Sequence, residues 1–176
     1  MMEKKIVMTA FCKDRPGIVA DITETIFENG CNLEDSTMTS MLDEFAIILL
    51  LSAKGDRIEE QLIKDCRRLE REKGITAFLR SVEVKDKKSQ KKFYTKAINV
   101  DGVDQSGIVY KVSRFLADNH INIENLTSKR LISPETGTAI YSMEIKVQVP
   151  EKISLEQLEK GLSQVGEELN VEIIID

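Results

Sequence analysis

Asp14-Arg15-Pro16-Gly17-Ile18-Val19 closes a β-prone run and opens a helical one, and the same kind of junction returns at Asp104-Gln105-Ser106-Gly107-Ile108-Val109. The offset is 90 (104 minus 14), and it holds without a gap through Asn29 and Asn119, Asn32 and Asn122, Glu34 and Glu124, and Thr37 and Thr127. A constant offset over such a stretch makes the chain a tandem repeat of one unit. Each copy is expected to have the same element order and a site at the same place. In a chain of 176 residues the repeat puts one unit at 1–84 and another at 93–176. The Lys-rich stretch between them, 85–92, lacks an apolar anchor and reads as a linker.

Outward from the first junction, Ile6-Val7-Met8-Thr9-Ala10-Phe11 is a strand pattern. Pro16 suits the first helical position, where its missing N–H is not needed, and Asp14 favours a helix start by its charge. Ile18, Ile22 and Ile26, with Val19 beside them, give one apolar helical face, which Asn29-Gly30 ends. A strand over 31–40 and a turn at Leu42-Asp43-Glu44 lead into Phe45-Ala46-Ile47-Ile48-Leu49-Leu50-Leu51. That run does not alternate, which predicts that both its faces are covered, one by helices and the other by another domain or subunit. Gly55-Asp56 is expected to cap a second helix with Ile58, Leu62, Ile63, Cys66 and Leu69 on one side and a solvated basic face (Arg67, Arg68, Arg71, Lys73) on the other. Gly74 ends it, and 75–84 supplies a fourth strand.

The second copy repeats the pattern. A strand over 93–100 precedes a helix faced by Ile108, Val109, Val112, Phe115 and Leu116, and a hairpin follows over 122–131 and 138–149. Here Tyr141, Met143, Ile145 and Val147 alternate with Ser142, Glu144, Lys146 and Gln148, so this sheet should have one wet face. Leu155, Leu158, Leu162, Val165 and Leu169 build the last helix, and 171–175 the last strand. Each half therefore reads β-α-β-β-α-β. The fold class is α+β, two tandem ferredoxin-like units, each a four-stranded antiparallel sheet with two helices on one face.

Composition narrows the function. A net charge of −5, with 7 basic against 13 acidic residues from Ile98 onward, excludes a protein that holds nucleic acid by its own surface. No apolar run approaches bilayer length, so no membrane partner is expected, and no signal peptide is read at the start. Cys12, Cys31 and Cys66 show no metal spacing and read as reduced, packed thiols of a cytoplasmic protein. His120 stands where the first copy has Gly30 and reads as an end-of-helix residue, not a base. There is no Walker A loop, GxGxxG, GxSxG or zinc-spaced cluster, so no cofactor or metal is implied and a catalytic site is not expected.

The two junctions are the candidate sites. A helix start presents free backbone N–H groups, and Gly17 or Gly107 allows close approach, so a small carboxylate fits there. Asp14 or Asp104 can receive an ammonium group, and Asn32 or Asn122 offers an amide that both donates and accepts. Carboxylate plus ammonium describes a free amino acid. The structural alternative is that the aspartates only help to start their helices and the asparagines only shape a turn.

The residues also carry a family resemblance. Asp14-Arg15-Pro16-Gly17-Ile18-Val19 followed by Asn29-Gly30-Cys31-Asn32-Leu33-Glu34-Asp35-Ser36 resembles the ACT domain, a small regulatory fold that binds amino acids, and Asp104 to Val109 with Asn119-His120-Ile121-Asn122-Ile123-Glu124 resembles another. Two such units without an enzyme domain, with Asp43-Glu44-Phe45 leading into the apolar strand, resemble the glycine cleavage system transcriptional repressor family. The resemblance implies a cytoplasmic, non-enzymatic regulator that senses glycine or a related amino acid and acts on a DNA-bound activator without reading DNA. It implies ligand contacts from Asp14, Arg15, Pro16, Gly17, Ile18, Val19 and Asn32, and from Asp104, Gly107, Ile108 and Asn122. It also implies pairing of ACT units edge to edge or face to face, hence a homodimer or other homo-oligomer. The second copy departs from the pattern, with Gln105-Ser106 for Arg-Pro and His120 for glycine. The competing readings are an interaction protein whose sites are vestigial and the regulatory subunit of an amino-acid metabolic enzyme.

Overall fold

The computed structural model describes residues 3–55, 57–83, 92–134 and 136–176. Contacts divide the chain into Met1–Asp86 and Lys87–Asp176. Of the expected connector 85–92, all but Lys92 lies outside the described residues.

The first unit runs β1 (Glu3–Lys13), α1 (Ile18–Glu28), β2 (Asn32–Met41), β3 (Glu44–Lys54), α2 (Ile58–Lys73) and β4 (Thr76–Val82). The second runs β5 (Phe93–Val103), α3 (Ile108–Asp118), β6 (Asn122–Ile132), β7 (Ala139–Pro150), α4 (Leu155–Leu169) and β8 (Val171–Ile175). Both sheets are antiparallel, in the orders β2-β3-β1-β4 and β6-β7-β5-β8. The element order, sheet topology and fold class are those the repeat predicts. A bulge interrupts each outer strand at the same place, between Leu33 and Asp35 in β2 and between Ile123 and Asn125 in β6.

The inward side of the first sheet (Ile6, Met8, Ala10 and Cys12 of β1; Phe45, Ile47, Leu49 and Leu51 of β3) meets Ile18, Ile22 and Ile26 of α1 and Leu62, Cys66 and Leu69 of α2. Each fully buried Ile, Leu or Met contributes roughly 1.5–3 kcal/mol, which is why the helical and strand periods decide the fold. The second core repeats this with Ile98, Val100, Met143, Ile145 and Val147 under Ile108, Val112, Leu116, Leu158 and Leu162. Cys12 and Cys66 are buried and Cys31 is half-buried, all three free, and burial pushes the Cys66 thiol up to about 11.

Two helix starts differ from the expectation. α1 begins at Ile18 with Gly17 at the N-cap (φ +93°), so Pro16 is a turn residue and not the first helical one. The left-handed backbone that Gly17 accepts without strain delays the helix to two residues past the start that proline's fixed φ suggested. α2 is capped by Arg57 without a side-chain bond; Gly55 lies outside the helix, and Asp56 lies outside the described residues.

The outward faces are unequal. In the first sheet Thr9 lies between Ile48 and Phe78, and Phe11 stacks on Phe78 at a centroid distance of 6.1 Å. Phe11, Ile48 and Phe78 are 47%, 54% and 61% exposed, so the unit's own helices cover one face of the apolar strand and leave the other open. The corresponding face of the second sheet carries Asn99 between Glu144 and Ile174, with Ser142 and Lys146 on either side of Glu144 in β7, the wet face that the alternation predicts.

Candidate functional site

The first junction is built by three elements. Asp14 continues β1 and donates its N–H to the Asp43 carbonyl at 2.8 Å, which fixes it beside the β2–β3 turn. Its side chain accepts a hydrogen bond from Ser40 Oγ at 2.9 Å, from the end of β2. Gly17 then turns the chain so that α1 starts with no side chain capping it. The first-turn N–H groups have no intrahelical partners by geometry, and the helix dipole adds partial positive charge there. Ile18 is buried and anchors the turn, while Val19 is 41% exposed at its rim.

Arg15 braces the junction. Its guanidinium donates to Asp21 Oδ2 at 2.7 Å, to the Pro16 carbonyl at 3.3 Å and to the Lys73 carbonyl at 3.4 Å. Lys73 Nζ reaches the other Asp21 oxygen at 3.2 Å. These two cations, Arg15 first, hold the Asp21 carboxyl below its ordinary value. The mouth of the site is therefore cationic and helix-ended, with the Asp14 carboxylate across the turn.

The second junction has the same backbone and different chemistry. Gly107 caps α3 at φ +97°, Asp104 N–H donates to the Ala139 carbonyl at 2.9 Å, and Ile108 is buried. Where the first unit has Ser40 the second has Arg130 (40 plus 90), whose Nε donates to Asp104 Oδ2 at 2.6 Å. Gln105, in place of Arg15, donates to the Leu169 carbonyl. Among the described residues, an ammonium group arriving at Asp14 meets a carboxylate held by a neutral hydroxyl; at Asp104 it has to displace a guanidinium.

The asparagines lie elsewhere. Asn32 is opposite Ser52 of β3, and Ser52 is opposite Lys5 at the start of β1, whereas Asp14 follows Lys13 at its end. Nine strand positions separate them, about 30 Å at roughly 3.3 Å per residue. Asn122, opposite Gln148 and through it Thr95, is equally far from Asp104. The cause is the crossover: α1 returns the chain to the beginning of the sheet, so β2 runs parallel to β1 and starts at the opposite end. Within one unit the structure brings together Asp14, Arg15, Pro16, Gly17, Ile18 and Val19, with Ser40 added, and not Asn32. Ser40 and Arg130 were not singled out by sequence. Their break in the repeat, polar neutral against cationic at one register position, was the available signal. His120 ends α3 in a left-handed conformation (φ +56°), as its place in the repeat suggested.

The ACT-domain family model matches residues 4–80. A UPF0237 protein of Methanopyrus kandleri is 30% identical over 81 residues, 46% of this chain and 90% of that protein. The chain belongs to the ACT-domain family. Its two units make it a tandem ACT protein, and the likeness to one particular tandem member runs through both of them. The glycine cleavage system transcriptional repressor of Escherichia coli is 27% identical over 169 residues, 95% of this chain and 86% of the repressor. Among solved structures, an unknown protein from Galdieria sulphuraria superposes with a TM-score of 0.82 at 27% identity, covering 99% of this chain and 98% of that one. A candidate glycine cleavage system transcriptional repressor superposes with a TM-score of 0.72 at 22% identity over 100% and 98% of the two chains, which speaks for the tandem ACT fold. Among the described residues no helix is long and apolar enough to cross a membrane.

Proposed function

We propose that this tandem ACT protein is a cytoplasmic, non-enzymatic regulator that couples a free amino acid, glycine or a close relative, to a contact with a DNA-bound transcriptional activator. The observation that carries the reading is the first junction. A helix start opened by Gly17 without a side-chain cap offers N–H groups to a carboxylate, and Asp14, held by Ser40, offers charge to an ammonium group. Asn32 joins that site only when another ACT unit supplies it, since its own unit places it at the far end of the sheet. Such sharing fits a homo-oligomer and makes ligand binding and assembly one equilibrium. The likeness to the E. coli repressor across both units supports transcription as the process regulated. The net charge of −5 supports action through protein and not through DNA.

The test is a thermal-shift and calorimetric screen of the full chain against the twenty amino acids. At about 100 times its dissociation constant the ligand stabilises by roughly 2.7 kcal/mol, several degrees in a domain of this size. Glycine or a relative is expected to shift the wild type and Asp104→Ala, and not Asp14→Ala. Silence towards all twenty would remove the sensor reading. It would favour an interaction protein, for which the open face of Phe11, Ile48 and Phe78 is the specific support.

A further inference from the structure

The helix pairs of the two units diverge at one place. Between α1 and α3 the offset is 90, and between α2 and α4 it is 96, as the left-handed C-caps Gly74 and Asn170 and the buried pairs Leu62 with Leu158 and Cys66 with Leu162 show (74 plus 96 is 170). In the first unit the seam is closed by Asp65, 9% exposed, which accepts from Asn29 Nδ2 at 2.9 Å and Gln61 Nε2 at 3.2 Å and lies 3.5 Å from Arg68. Its counterpart is Gly161 (65 plus 96), and the counterpart of Thr25 is Phe115 (25 plus 90). The Phe115 ring takes the vacated space, since a β-carbon at Gly161 would fall 2.4 Å from Phe115 Cζ. A helix-interior glycine costs about 1 kcal/mol relative to alanine, so the change runs against helix stability.

A groove of about 530 Å³ results, within the size range of small-molecule sites. Phe115, Ile153 and Leu158 give it an apolar floor; Lys152 and Lys160 give it a cationic rim, and His120 also lines it. Among the described residues neither lysine has a carboxylate in ion-pair range, and the one acid lining the groove, Asp118, is already paired with Arg114 at 3.0 Å. His120 adopts a left-handed backbone where the first unit uses glycine.

We infer that the α3–α4 groove of the second unit binds a small organic anion with a flat apolar body. Its carboxylate or phosphate is taken by Lys152 and Lys160, whose ammonium groups act as point charges, and its body lies on Phe115 and Ile153. The site is separate from the helix-start junction, so this inference does not depend on the amino-acid reading, and the two units answer to different ligands.

The experiment is amide-resolved NMR titration of the full chain with phenyl phosphate, benzoate and the neutral benzyl alcohol. Saturable shifts centred on His120, Lys152 and Gly161 are expected with one or both anions, and which anion binds tighter identifies the preferred head group. Binding of benzyl alcohol should be at least about tenfold weaker. Lys152→Gln with Lys160→Gln should weaken anion binding by about tenfold or more while leaving the rest of the spectrum unchanged, since both are exposed. Phe115→Thr with Gly161→Asp, which restores the pairing of the first unit, should close the groove and remove the shifts. No saturable shift with either anion, equal binding of benzyl alcohol, or indifference to the lysine changes would overturn the inference.

Discussion

Thr9, Phe11, Ile48 and Phe78 look outward from the first sheet where Asn99, Asp101, Glu144 and Ile174 look outward from the second. The inward faces of the same strands are closely alike, with Met8, Ala10, Leu49 and Leu51 answered by Ile98, Val100, Ile145 and Val147 in two cores of the same design. One copy of the duplicated unit has kept or acquired an apolar exterior, and the other has become hydrophilic on the same lattice of positions. A sheet needs only one apolar face to fold, so the second face of the first unit is surplus to folding and is available for association.

That comparison can be broken at the core. Leu62→Ala and Leu158→Ala empty equivalent, almost fully buried positions, and each is expected to cost about 2–5 kcal/mol. If the units are alike inside, calorimetry should show each variant lowering the melting of its own unit by a similar amount; strongly unequal losses would mean that the cores are not equivalent. The exterior difference is sharpened by Ile48→Glu, which writes the second unit's Glu144 into the first. The half-exposed site should tolerate it, but a side chain withheld from burial in an interface forfeits roughly 1.5–3 kcal/mol. Self-association measured by sedimentation should weaken about tenfold or more. An unchanged association constant would show that the apolar face is not where copies meet.

The junctions offer a finer contrast. Arg130→Ser gives the second unit the hydroxyl that holds Asp14 in the first, and it frees Asp104. Amino-acid affinity there should rise by roughly tenfold, visible as a second binding event in titration calorimetry. The smallest effect concerns Asp21, whose equivalent is Lys111, paired with Glu168 at 3.2 Å. Arg15 and Lys73 lower the Asp21 carboxyl from its usual 3.8, so the ionised form is the stabilised one. Its contribution is present above that usual value and disappears as pH falls through the lowered one. The melting-temperature gap between wild type and Asp21→Asn should therefore exist near neutral pH and close in acid.

Most of the fold was legible because it rests on one-dimensional signals. The period of Ile18, Ile22 and Ile26 against the alternation of Met143, Ile145 and Val147, repeated at a fixed offset, leaves one arrangement of elements. The two-sided run of β3 also announced an unusual outer face. The errors came from backbone geometry and from distance. Pro16 advertised a helix start that Gly17's positive φ set later, and Asn32 looked close to Asp14 because the helix between them hides a return across the whole sheet. The groove of the second unit was out of reach for the same reason. It depends on a ring at 115 meeting an absent side chain at 161, and only the broken repeat at Thr25 and Asp65 hinted at it.

The bulges in β2 and β6 bear on how many chains can join. β2 and β6 are edge strands of their sheets, and strand-on-strand addition at such edges has no built-in closure and can run on into fibres. Both bulges break the even ladder of N–H and C=O groups that such growth requires, and each places a glutamate at the break, Glu34 tethered by Lys5 and Glu124 by Lys146. Duplication of the unit doubled its valence. The repeated bulge sets the same obstacle to such growth in both copies.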